Sequence, residues 1–157
     1  MRRHDREITD FDEIIAVMRK CDVCRLAFFD EKYPYILPLN FGMQVTDTKV
    51  TLFFHGASEG RKYELMKKNP NASFEMDCGH ELQLTEREDG CHCTMKYESV
   101  IGHGTLSILH DAQKKEALDF LMEQYHGTER SFCYNEKVMA ATTVFKLDVD
   151  SMSGKRR

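Results

Sequence analysis

Nowhere in the 157 residues does an apolar stretch approach the ~20 residues that a membrane-crossing helix needs. The opening Met1-Arg-Arg-His-Asp-Arg6 runs into a charged helix and has no signal-peptide h-region, so secretion is not expected. The expected setting is the reducing cytoplasm, where the six cysteines are read as thiols rather than disulfides. An excess of positive charge is also lacking. The net charge of −4 favours neither nucleic acid nor an anionic membrane, and Lys155-Arg156-Arg157 reads as a terminus rather than a binding arm. There is no internal repeat, low-complexity segment or linker, which leaves one domain over residues 1–157 as the expectation. Regular βαβ alternation is absent, which counts against a doubly wound parallel sheet. No dedicated nicotinamide motif is visible.

With 41% hydrophobic and 31% charged residues, the composition is that of an ordinary globular protein. Thr9 and Asp10 are good helix caps, and Phe11, Ile14, Ile15 and Met18 then form one apolar face. Strands are expected over Val23–Phe29, irregularly over Tyr33–Met43, and over Lys49–His55 after a turn at Thr46-Asp-Thr48. Ser58 is positioned to cap a helix from about Gly60 to Lys68, stopped by Asn69-Pro70. Strand character returns at Ala72–Asp77 and around Glu81–Thr85, with Cys78-Gly79 between them and a hairpin tip at Glu86–Gly90. A longer strand, about Cys93–Leu109, carries Gly102 and Gly104, the signature of a bend or bulge. Asp111 caps a third helix with Leu118, Leu121, Met122 and Tyr125 at helical spacing. Gly127–Ala141 is ambiguous, and Thr142–Asp150 reads as a final strand. The tally is six or seven mainly antiparallel strands and about three helices, an α+β barrel plugged by helices.

Three stretches carry chemistry. In Phe53-Phe-His-Gly-Ala-Ser-Glu-Gly-Arg-Lys62 a strand ends and a helix begins with two cations in its first turn. Cations there oppose the helix dipole, and a bound phosphate resolves the conflict by meeting free N–H groups and both side chains. Solvated surface charge is the other reading. In Tyr35-Ile-Leu-Pro-Leu-Asn-Phe-Gly-Met43, Pro38 breaks the strand ladder, and main-chain groups freed there suit a planar polar ligand; an irregular edge strand is the plainer alternative. In Lys96-Tyr-Glu-Ser-Val-Ile-Gly-His-Gly104, Ser99 is a phosphate donor or simply an exposed strand serine.

Taken in order, Ile36-Leu-Pro-Leu-Asn-Phe-Gly42, Leu52-Phe-Phe-His-Gly-Ala57, Glu59-Gly-Arg-Lys62 with Asn69-Pro70, Tyr97-Glu-Ser-Val-Ile-Gly-His-Gly104 and Asp148-Val-Asp-Ser-Met-Ser-Gly-Lys155 lie between residues 36 and 155, and the likeness they carry extends over about residues 8–156. This series resembles the FMN-binding split-barrel family related to pyridoxamine 5′-phosphate oxidase, in particular the branch of the nitroimidazole-resistance proteins. The resemblance implies a split β-barrel, bound FMN, and a homodimer whose cofactor sites lie at the interface. It implies that Lys62, with Arg61 or the nearby backbone, holds the FMN phosphate, and that Ser99, Val100 and Lys155 contribute from the neighbouring strands. Pro38, Leu39, Asn40 and Phe41 line the isoalloxazine, and His55 and Ala57 lie near it. His55 matches a histidine of the resistance branch's active site, which makes it the candidate catalytic residue; a barrel-mouth histidine bonded to a carbonyl is the alternative. Vitamin B6 oxidation is not implied, because no set of pyridoxal-phosphate ligands is present. The implied function is an FMN-dependent oxidoreductase that reduces small electrophiles such as nitro compounds or quinones with a reduced nicotinamide. The alternative is a non-enzymatic carrier or sensor of flavin or haem.

Cys21-x-x-Cys24, Cys78-Gly-His80 and Cys91-His-Cys93 also invite a zinc reading, since thiolates and imidazoles suit that ion. A second well-spaced CxxC is missing, and small buried thiols are the preferred account, with no metal expected.

Overall fold

In the computed structural model, residues 3–84, 93–110, 112–127 and 131–157 are described. Their elements are β1 (Glu7–Ile8), α1 (Phe11–Lys20), β2 (Cys24–Phe28), β3 (Tyr35–Leu39), β4 (Gly42–Thr46), β5 (Lys49–Ala57), α2 (Arg61–Lys68), β6 (Asn71–Gln83), β7 (Thr94–Leu109), α3 (Ala112–His126), α4 (Glu136–Ala141) and β8 (Thr142–Arg156). A 3₁₀ turn at His4–Arg6 precedes them. Every pairing is antiparallel, in the order β3-β2-β6-β7-β8-β5-β4, with β1 added to the end of β8. The class is α+β, and the architecture is a split barrel. Among the described residues there are eight strands and four α-helices, where six or seven and about three were expected.

The extra pieces have physical causes. β8 runs six residues past Asp150 because both of its edges are used there: Lys155 pairs with Ser99 on one side and with Glu7 on the other. Cys78-Gly79 does not end a strand. It is a register shift inside β6, and Gly79 supplies the positive φ of 68° that the irregularity requires. The irregular segment Tyr33–Met43 resolves into two strands parted at Asn40-Phe41, and α4 occupies part of the ambiguous stretch. The expected hairpin tip Glu86–Gly90 and the Asp111 cap lie outside the described residues.

Split is a literal description. The two edge strands, β3 and β4, are consecutive in the chain and joined by Asn40 and Phe41 alone, with no ladder between them among the described residues. The interior is filled by alternate side chains of the curved sheet; Leu26, Phe28, Phe41, Leu52, Phe54, Phe74, Met76, Val100, Phe145 and Leu147 are each at most 2% exposed. Helix α1, capped by Asp10 accepting the Glu13 N–H at 3.0 Å, packs its Ile14, Ile15, Val17 and Met18 face onto β6, β7 and β8. Arg156 at the end of β8 clamps it, bonding Glu13 of α1 at 3.0 Å and Glu98 of β7 at 2.6 Å.

Helix α3 covers the opposite side, where Phe120 stacks on Phe53 at 5.3 Å and Leu118 and Ala117 pack around Val144 and Leu109. It comes so near β4 that a Cβ on Gly42 would sit 2.4 Å from the Leu121 nitrogen. Only glycine fits there. No helix among the described residues is long and apolar enough to cross a membrane.

Candidate functional site

The barrel's open side is bounded by β3 on one flank and by the last turn of β5 on the other. β4 pairs with β5 only as far as Phe53, so Phe54–Ala57 has β8 on one side and no strand on the other among the described residues. Main-chain donors and acceptors along such an edge are available to a ligand.

Helix α2 closes one end of this opening. Its N-cap is Gly60, at φ 133°, with no side chain capping the first turn; the expected cap, Ser58, does not serve. The first N–H groups of α2 therefore lack a side-chain acceptor, at the helix end whose dipole attracts anions. The two cations of the first turn diverge. Arg61 is ion-paired with Asp30 and lies 5.8 Å from the centre of the Tyr35 ring, so it is committed to the β2–β3 side. Lys62 turns the other way, towards β5. A methyl group placed on Gly56 would meet Lys62 Nζ at 3.0 Å, Lys62 Cε at 3.1 Å and the Tyr63 hydroxyl at 3.2 Å.

Lys62 is half-buried, its ammonium 4.4 Å from the centre of the Tyr63 ring, and desolvation lowers its pKa, with no carboxylate of the described residues paired to it. Beneath it, Tyr63 is 6% exposed and packs edge-on against Phe145 at 5.9 Å. Its hydroxyl is buried without a hydrogen-bond partner among the described residues. Burial raises the phenol's pKa, and Thr143, opposite Gly56 on β8, lies near enough to offset part of that rise without meeting hydrogen-bond geometry. An unpaired ammonium, uncapped helix N–H groups and a cradle kept open by the missing side chain of Gly56 together fit a phosphate group.

The other expected site residues fall in three places. His55 lies next to Gly56 but on the opposite face of β5, the outer one, shared with Phe53 and Ala57. It reaches solvent, yet partial burial lowers its pKa, and no charged group acts on it. It is therefore neutral at pH 7. Pro38 and Leu39 stand on the free edge of β3. Asn40 and Phe41 are held by α3: the Tyr125 hydroxyl accepts the Phe41 N–H at 3.1 Å and the Asn40 amide at 3.2 Å, and donates to the Asp22 carbonyl at 2.8 Å. The Phe41 ring is wholly within the core, so the ring is not free to stack on a ligand and only its main chain is left to meet one.

Ser99, Val100 and Lys155 form a third group. Val100 is wholly buried, while Ser99 sits between Asp77 and Lys155 on neighbouring strands. The Lys155 ammonium lies 5.4 Å from the Tyr97 ring centre and lowers that phenol's pKa. Lys62 stands at Gly56, which pairs with Thr143 near the start of β8, whereas Lys155 lies near the other end of that same strand. The two positions are roughly 40 Å apart along the strand, at about 3.3 Å per residue. One copy of the chain does not bring Lys62 and Lys155 together.

Among the described residues no three His, Cys, Asp or Glu side chains gather to hold a metal. Cys21 and Cys24 are buried in the core, where desolvation pushes both thiols far up in pKa, and Cys91 and His92 lie outside the described residues. Tyr63 and Gly56 are the site residues that sequence reasoning missed. A lone glycine in an apolar strand is a signal of close backbone approach, whereas Tyr63 reads as an ordinary core residue of α2.

Fold and site together define a split-barrel protein with an uncapped helix start, suited to an anion, beside an open strand edge. A family model for pyridoxamine 5′-phosphate oxidase matches residues 10–156, and the chain belongs to that family. A candidate 5-nitroimidazole antibiotic resistance protein from Bacteroides thetaiotaomicron is 31% identical, with a TM-score of 0.79 over 96% of this chain and 86% of that one. The FAD and heme binding protein from Mycobacterium smegmatis shares the fold at 19% identity, with a TM-score of 0.81 over 96% of this chain and 73% of that one. The flavocytochrome Anf3 from Azotobacter vinelandii does so too, at 19% identity and a TM-score of 0.79, over 100% of this chain and 72% of that one. No curated protein matches the sequence.

Proposed function

We propose that the chain binds FMN and works as an oxidoreductase, reducing small electrophiles such as nitro compounds or quinones at the expense of a reduced nicotinamide. The observation that carries the reading is Lys62, a half-buried ammonium without a counter-ion among the described residues, poised over Gly56 at the uncapped start of α2. Family membership and the 31% identity to the candidate resistance protein support it. The cofactor supplies the electron chemistry when bound. The chain's own part is to hold the phosphate at Lys62, to offer main-chain partners along β3 and the end of β5, and to set a neutral imidazole, His55, on the adjoining outer face. As a neutral group His55 accepts or donates a hydrogen bond without bringing a positive charge to the site.

The functional unit in this reading is a homodimer, with the second copy bringing its Ser99 and Lys155 to the first copy's Lys62. Two neighbouring outward rungs of the sheet support it. One runs Ile36–Ala27–Ser73–His103–Ser151 and the next Pro38–Arg25–Glu75–Ile101–Ser153. They carry small side chains, His103, an Arg25–Glu75 ion pair that satisfies its own charges, and two large apolar side chains, Ile36 and Ile101, which are 60% and 55% exposed. A second copy covers such a face without deep rearrangement.

The test begins with the visible spectrum of the purified protein and a titration with FMN. Lys62→Ala is expected to weaken FMN binding by ~1.5–3 kcal/mol, the worth of a charge-assisted contact. A protein that takes up no FMN refutes the reading. Bound FMN with no turnover of nitro compounds or quinones in the presence of a reduced nicotinamide leaves a flavin carrier or sensor instead.

A further inference from the structure

We infer that the Tyr63 hydroxyl is a second donor to the phosphate held by Lys62, and that it selects a phosphorylated flavin over an unphosphorylated one. The inference rests on the FMN reading above and adds a residue to it. Three observations converge. The hydroxyl is buried and unpartnered, which costs a folded chain free energy unless something supplies the missing bond. Tyr63 Oη and Lys62 Nζ both lie close to one point, the position a Cβ on Gly56 would take, at 3.2 and 3.0 Å. The ring behind the hydroxyl is fixed by edge-on packing against Phe145, which itself stacks on Phe54 at 5.3 Å, so the oxygen is held in place. Lys62, by contrast, is the end of a flexible side chain that can shift to admit a phosphate oxygen. A rigid neutral donor beside a mobile cation suits a terminal phosphate, which presents several acceptor oxygens. Riboflavin has none to offer there.

The experiment compares FMN with riboflavin in the wild type, Tyr63→Phe and Lys62→Ala, by fluorescence titration, with thermal unfolding of each protein without added flavin. Tyr63→Phe is expected to weaken FMN binding about tenfold, to leave riboflavin binding unchanged, and to leave the unfolding temperature without flavin unchanged or higher. If Lys62→Ala weakens FMN binding while Tyr63→Phe does not, the hydroxyl is only a core feature and this inference falls alone. A drop in unfolding temperature without flavin, together with full FMN affinity, points to a structural bond to Thr143 and also overturns it. If neither substitution changes FMN binding, the phosphate site itself is elsewhere and both readings fall.

Discussion

The Tyr125 hydroxyl lies 3.1 Å from the Phe41 nitrogen, tying the end of α3 to the two residues at which the barrel is split. The same oxygen takes the Asn40 amide and donates to the Asp22 carbonyl, so one side chain fixes the geometry of the β3 edge. Next to it, Gln124 Nε2 is within hydrogen-bond distance of the Met18, Arg19 and Cys21 carbonyls at the end of α1. Tyr125→Phe leaves a buried N–H unpaired and is expected to cost about 1–3 kcal/mol. Urea unfolding measures it, and a loss under 0.5 kcal/mol would count against the lock being structural, on the order of an ordinary surface change.

Gly56 and Gly104 separate function from folding. A Cβ at Gly56 presses on the tip of Lys62 and on the Tyr63 hydroxyl, so Gly56→Ala is expected to fold with near-normal stability and bind FMN at least about tenfold more weakly. A Cβ at Gly104 would meet the Asp148 carbonyl oxygen at 2.1 Å, at the bulge between His103 and Gly104. That neighbour is backbone, and Gly104→Ala is expected to destabilise by roughly 1–3 kcal/mol or more. Equal thermal shifts for the two variants would contradict this division.

The lowered pKa of His55 fixes the sign of a pH effect. The folded chain binds the proton less tightly than the unfolded one. Its contribution to stability is therefore neutral above pH 6.5 and turns unfavourable as pH falls below that, levelling off beneath the folded pKa. An imidazole resonance followed by NMR should titrate below 6.5, and His55→Gln should remove that part of the acid sensitivity. A midpoint above 6.5 would place an unseen negative charge beside the ring.

Dimerisation through the sheet's outer face is open to a charge test. Ile36→Lys together with Ile101→Lys alters side chains that are largely exposed in one copy, so each protomer should keep its stability. Light scattering is expected to show the mass of one chain for this variant and of two for the wild type. A variant that remains dimeric moves the interface to another face.

Much of this arrangement is legible in the sequence. The Phe11–Met18 periodicity gives α1, and two cations entering a helix after small residues mark the α2 end as a candidate anion site. What is not legible depends on distant partners. Asn40-Phe41 is a break between strands because Tyr125, 84 positions on, takes the Phe41 N–H. Ser151-Met-Ser-Gly154 lacks the alternation of a half-buried strand, yet it is strand because β7 lies beside it and β1 joins at Gly154. Arg61 and Lys62 look equivalent in sequence, and only Asp30, brought alongside by the β2–β3 turn, distinguishes the committed cation from the free one.

The pairing of Glu7 with Lys155 has a consequence for how the chain reaches this state. Helix α1 and strand β1 are synthesised first, but β6, β7 and β8, on which they rest, come last. At ordinary rates of synthesis the N-terminal elements wait on the order of ten seconds or more before the last strand exists. An isolated ten-residue helix is marginal in water, so α1 has little reason to persist during that wait. The chain therefore folds late, with its longest-range contacts closing together. Removing the final few residues should cost far more than the surface they bury, because α1 would lose its clamp.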